Sequence, residues 1–423
     1  MQRALAYALS PSPVATLRFL LTAPVFAILA ALMVAGYGEA AFDSRWSPPA
    51  LAITHLLTLG MLSMAMAGSM FQLIPVVAGQ PMALSRLGAV VVWAGLAGGA
   101  LLLALAFAAG LAWLFPPAAI VLAIAFGTWI AAVAGPLLRP AANGARPMLT
   151  GMRVALPALL MTVALGVLLA LALGRGLPVP LLLLTELHVG WGLVGWVAML
   201  VIGVAFQVIP MFQSVAAYPT SMSRWGPPSV GLLLLSWTAT LVAGLRGSVL
   251  AACLLAGLMA GFALFTLLRL LRSKKNAADA TSLYWRLALS CLIASAALAC
   301  LPVRHPVQPV LTGVLFIGGF AMGAVNGMLY KIVPFLLWYH LQHHPNARKG
   351  DVPAMRLILP EQSGRRQFWW YGLALAALLA ALAWPPLMRM AGALLAWANL
   401  LLAADLLRAA HRCRAILRRL QPS

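Results

Sequence analysis

The sequence predicts an all-α integral membrane protein with about twelve transmembrane helices. They fall into three pseudo-repeated arcs of four, with both termini cytoplasmic. Three observations predict this class. Hydrophobic residues make up 63% of the 423-residue chain and charged residues only 8%. Apolar windows of about twenty residues, the length that spans a bilayer as a helix, recur about a dozen times. One helical pattern then appears three times along the chain. The apolar run has no break long enough for a soluble domain, so residues 1–423 read as one transmembrane domain with pseudo-repeats near 17–136, 153–268 and 286–408.

The first arc comprises spans 17–37, 50–78, 87–110 and 113–136. Its first span is full length and lacks a small-residue cleavage site, so it reads as a retained helix rather than a signal peptide. The second arc comprises 153–173, 181–210, 228–245 and 247–268, and the third 286–303, 308–338, 367–384 and 388–408. In each arc the second span is the long one and carries the pattern. Trp46, Trp113, Trp285, Trp338 and Trp369 fall near span ends and read as interfacial anchors.

Lys and Arg set the orientation. With the N-terminus inside, the cytoplasmic segments collect Arg3, Arg139, Arg146, Arg153, Arg269, Arg272, Lys274, Lys275, Arg348, Lys349, Arg365, Arg366 and the tail from Arg408 to Arg419. The outer loops hold Arg45, Arg175, Arg246, Arg304 and Arg389. The net charge of +21 therefore points to the anionic inner leaflet of the cell's inner membrane. A nucleic-acid binder would gather that charge on a soluble module, and none is present. Cys253, Cys291, Cys300 and Cys413 are scattered, without metal-ligand spacing, which argues against a disulfide scaffold.

The repeated pattern holds the only two histidines inside apolar helices. The first copy runs from His55 through Gly60, Gly68 and Gln72 to Pro75 (THLLTLGMLSMAMAGSMFQLIPVVAG). The second runs from His188 through Gly192, Gly195, Gly203 and Gln207 to Pro210 (ELHVGWGLVGWVAMLVIGVAFQVIPMF). The third runs from Thr312 through Gly319, Gly323 and Gly327 to Lys331 and Pro334, with no histidine at the matching place. An intramembrane imidazole is costly and marks a ligand, proton or partner site. Hydrogen bonding to a neighbouring carbonyl is the alternative for either ring alone. The glycines allow close approach of another helix or of a flat cofactor. The prolines kink or end the helices, and Lys331 near the inner surface can snorkel.

Other features carry less. Glu186 lies two residues before His188, so the two side chains diverge around the helix. Met66 and Met70, with Met61 and Met64 nearby, offer thioethers that suit Cu(I) but equally suit core packing. His340, His343 and His344 sit in a basic loop that reads as solvated.

The segments LHVGWGLVGWVAMLVIGVAFQVIP, THLLTLGMLSMAMAGSMFQLIPVVAG and GMLYKIVPFLLW resemble the sixth, second and tenth helices of haem–copper oxidase subunit I. The arrangement of a histidine, then glycines, then a proline is also similar to the NnrS-type haem membrane proteins. The resemblance implies His188 as a copper ligand, His55 as an axial haem ligand, and Arg389 as a propionate partner, with Arg45 and Arg304 as further candidates. Haem b is the implied cofactor, or copper, or none. The implied settings are respiratory electron transfer, nitric oxide or gas response, and respiratory-complex assembly, with a complex subunit or periplasmic electron donor as partner.

The departures from the family narrow this. Counting back from Pro334 by the intervals of the other copies lands on Val314 and Thr312, neither a ligand, and span 228–245 has no histidine pair. Oxygen reduction is therefore not expected. His305, in the loop before the tenth span, is no more than a cover for a site. A cofactor-free transporter and an assembly subunit with a vestigial site remain alternative readings.

Overall fold

Segments that are apolar on every face must close their backbone hydrogen bonds internally, and they do so as helices. The computed structural model describes residues 13–82, 84–139, 146–273, 279–348 and 350–420. Arg3, Lys274, Lys275 and Lys349, which enter the orientation count, lie outside the described residues. Twelve helical rods lie among the described residues: α1 Pro13–Tyr37, α2 Pro48–Ala78, α3 Arg86–Ala108, α4 Ala112–Leu138, α5 Arg146–Arg175, α6 Leu181–Gln213, α7 Thr220–Val242, α8 Gly247–Leu271, α9 Ala280–Ala299, α10 Val307–Gln342, α11 Glu361–Ala383 and α12 Met388–Leu420. Ten of them are long and apolar enough to cross a membrane. The other two, α7 and α11, open on the polar stretches TSMSR and EQSGRR. The α12 helix continues to Leu420, so the basic segment read as a tail is helical.

The long rods α2, α6 and α10 are not regular. Each contains a π-helical segment, at Leu56–Ser63, Gly190–Ala198 and Val314–Ala321. These start 19, 20 and 20 residues before Pro75, Pro210 and Pro334. A π segment widens the helix and re-aims the side chains beside it. Three of them in one register make the internal repeat a property of the backbone as well as of the sequence.

The pattern's glycines explain how each long rod seats on its predecessor. Gly60, Gly195 and Gly319 each lie 15 residues before the proline, and Gly68, Gly203 and Gly327 each lie 7 before it. A Cβ on the first set would meet Phe26, Ala158 and Cys291; on the second set it would meet Phe19, Gly151 and Tyr284. So α2 packs on α1, α6 on α5 and α10 on α9 through the same two points, with the facing residues always seven apart. These glycines serve helix packing. At Gly151 against Gly203 backbone meets backbone, and a Cβ on Gly151 would lie 2.5 Å from the partner Cα. Neither backbone can yield locally, so Gly151→Ala is expected to lower stability by about 1–3 kcal/mol, read as a fall in Tm.

Rods α12 and α1, α4 and α5, and α8 and α9 pack closely, which joins the three sets of four into a ring. At its centre lies an apolar cavity between α2, α6 and α10. Its lining repeats by position: Ala65, Leu200 and Ala324 each stand 10 residues before the proline, and Ser69, Val204 and Met328 each stand 6 before it. The three long rods therefore turn equivalent faces to a common axis. Met66 and Met70 also line this space. Trp285 lines it too, 2% exposed, so it is a core residue rather than an interfacial anchor.

Candidate metal centre

His55 ends the regular first turns of α2, immediately before the π segment, and His188 lies two residues before the π segment of α6. The local widening beside each ring turns both towards the space between the two rods. The ring centroids are 6.4 Å apart with an interplanar angle of 22°. Phe107 of α3 lies on the other side of His55, at 5.4 Å and 22°.

Each histidine has one ring nitrogen already engaged. His55 Nδ1 is 2.8 Å from the Leu51 carbonyl, and His188 Nδ1 is 3.0 Å from the Thr162 carbonyl on α5. A carbonyl only accepts, so each Nδ1 donates, and in the neutral ring Nε2 keeps its lone pair. That is how proteins orient imidazoles for metal ligation. With metal–nitrogen bonds of about 2.0 Å, two imidazoles sharing one ion place their centroids about 6.3 Å apart at the widest. The observed 6.4 Å lies at that upper limit, which only a nearly linear nitrogen–metal–nitrogen arrangement would meet.

The donor set is two neutral nitrogens. It suits iron, copper or zinc by ligand type, and two axial imidazoles also suit a haem iron. Among the described residues no group of three or more His, Cys, Asp and Glu side chains is placed to hold a metal. His55 and His188 are thus a pair of donors without a third His, Cys, Asp or Glu placed beside them among the described residues. Gly166 of α5 seats the His188 ring, because a Cβ there would lie 3.0 Å from His188 Cε1. Gly166→Ala is expected to tilt the ring and weaken metal retention by about tenfold, measured by chelator competition.

An ion pair closes the same end of the bundle. Arg45, in the segment before α2, bonds to Glu186 on α6, and its guanidinium also lies 4.5 Å from the Trp46 ring. The two rods that bring the histidines together are thus also tied by opposite charges. Arg389 is elsewhere: it is exposed at the start of α12, where a Cβ on Gly38 would meet its Nε at 2.9 Å. The Arg304 backbone N–H donates to Gln308 at 3.2 Å, and the Val307 N–H donates to His305 Nδ1 at 3.3 Å, so both residues shape the loop before α10. In the third repeat the Thr312 hydroxyl donates to its own helix at Gln308, 2.9 Å away. The position matching the histidines is closed by a local bond.

The third repeat has instead a polar cluster at the opposite, proline end, which the sequence reading missed. Asp405 of α12 is 0% exposed, yet it binds Arg408 at 2.6 Å, Arg366 of α11 at 3.3 Å and the Tyr330 hydroxyl of α10 at 3.0 Å. Asp405 is the lone carboxylate of the last apolar span. Lys331 reaches the adjacent helix starts. Its Nζ lies 2.9 Å from Asp279, the residue that caps α9, and 4.0 Å from Glu361 in the first turn of α11. Two carboxylates at the adjacent helix starts hold it in place.

The loop read at His340, His343 and His344 starts later: His340 lies in the last turn of α10, because the helix runs on to Gln342, His343 Nδ1 sits 2.9 Å from the Tyr339 carbonyl, and His344 Nδ1 accepts from Asn346 N–H at 3.4 Å. No protein-family model and no curated protein matches this chain.

Proposed function

We propose that this chain is a twelve-span protein of the inner membrane, with both termini inside, whose His55 and His188 together hold one metal centre. The centre is the iron of a haem b or a single copper ion. It would serve respiratory electron transfer, gas or nitric oxide response, or assembly of a respiratory complex. The carrying observation is the facing pair of imidazoles, each fixed through Nδ1 and supplied by equivalent rods of two repeats. The orientation rests on the basic residues, which gather at the proline end of the rods. The relation to oxidase subunit I rests on the repeat pattern and on the ring of three four-helix sets. Oxygen reduction is not part of the proposal, because the third rod offers Thr312 and Val314 where a further ligand would stand.

The test is metal analysis with a visible spectrum on one purified sample. About one equivalent of bound iron or copper per chain is expected, as for a single preformed site. A Soret band identifies haem, and its absence with copper present identifies the ion. A wild-type protein with neither metal would overturn the proposal.

A further inference from the structure

A second cavity lies between α1, α2, α10, α11 and α12, and neither histidine lines it. It runs along α10 from Pro309 to Met322, which at 1.5 Å per residue is about 20 Å. Its walls are almost wholly aliphatic and aromatic. At the inner end the Tyr371 hydroxyl is already bonded to the Gly318 carbonyl, so it offers the lumen little polarity. The single charged residue of the lining is Arg45, at the histidine end. Arg45 is 39% exposed and spends Nη2 on Glu186, leaving further N–H donors of its fork for another acceptor.

A long apolar lumen with one guanidinium at its mouth is complementary to one kind of molecule. We infer that this cavity binds a long-chain fatty carboxylate, its tail along α10 and its carboxylate on Arg45. The planar fork of arginine matches a carboxylate. The single lumen admits one chain rather than the pair carried by a phospholipid. The bound carboxylate competes with Glu186 for the same guanidinium, which ties the state of the cavity to the ion pair above the histidines. The inference does not depend on a metal at the histidine pair.

The test uses the full chain in nanodiscs of zwitterionic lipid, photolabelled with a diazirine-bearing hexadecanoic acid and mapped by peptide. Label is expected on the α2 and α10 peptides around Thr54 and Val314, displaced by hexadecanoate and not by hexadecanol. Gly313 lines the cavity, and a Cβ there meets nothing within 4 Å. Gly313→Phe should therefore fill the lumen without disturbing the fold and abolish that label. Arg45→Gln should weaken binding by about fivefold or more, as befits a partly exposed charge. Glu186→Gln should strengthen it, because the competing carboxylate is gone. That gain separates ligand recognition from misfolding, which would only lower the label. Label spread over the lipid-facing rods, equal displacement by hexadecanol, or no response to Gly313→Phe would overturn the inference.

Discussion

His188→Ala is expected to empty the metal centre, lowering metal retention by more than about a hundredfold while leaving the fold intact. In the proposed centre the imidazole would supply one of only two ligands, and a single remaining nitrogen would not hold an ion against buffer. Structural damage should be small. The side chain is part-buried, its one recorded bond is to the Thr162 carbonyl, and that carbonyl lies within α5. His55→Ala should behave alike, since in the proposed centre each ring supplies one of the two ligands. A reciprocal loss is what distinguishes a shared ion from two histidines that merely pack. Metal content of each purified variant, read beside its Tm, checks both halves of the expectation.

Asp405→Ala is expected to act in the opposite way, costing stability and sparing the metal. The carboxylate is fully buried and accepts from Tyr330, Arg366 and Arg408. Its loss strands the Tyr330 hydroxyl in the core, while the two arginines, 49% and 53% exposed, can turn to water or lipid headgroups. The expected cost is therefore about 2–3 kcal/mol, set by the tyrosine and the lost cross-links rather than by two buried cations. Tyr330→Phe together with Asp405→Ala should cost less than the sum of the single changes, because the stranded hydroxyl is then absent. A thermal unfolding series on the three variants measures this.

Helix content and the repeat were legible because lipid leaves the backbone few options, and because a glycine pattern that seats one rod on another must recur where the seating recurs. His55 and His188 were legible for the same reason: an imidazole stands out in apolar sequence. Their mutual approach was not, since nothing in the residue spacing announces the π segments at Leu56–Ser63 and Gly190–Ala198 that re-aim them. Gly166 and Phe107 were invisible because they reach the centre through tertiary packing from α5 and α3. The Asp405 cluster was missed because its partners come from three different rods and meet only in the fold. The ion-pair partners of Lys331 were not legible because Asp279 and Glu361 lie far from it in sequence and meet it only at the helix starts.

X-ray absorption at the edge of the metal that copurifies with the full-length protein is the most direct test. The proposed centre predicts two imidazole nitrogens at about 2.0 Å, with one imidazole lost in each of His55→Ala and His188→Ala wherever residual metal can be measured. A spectrum without imidazole scattering, or one unchanged in both variants, would contradict it.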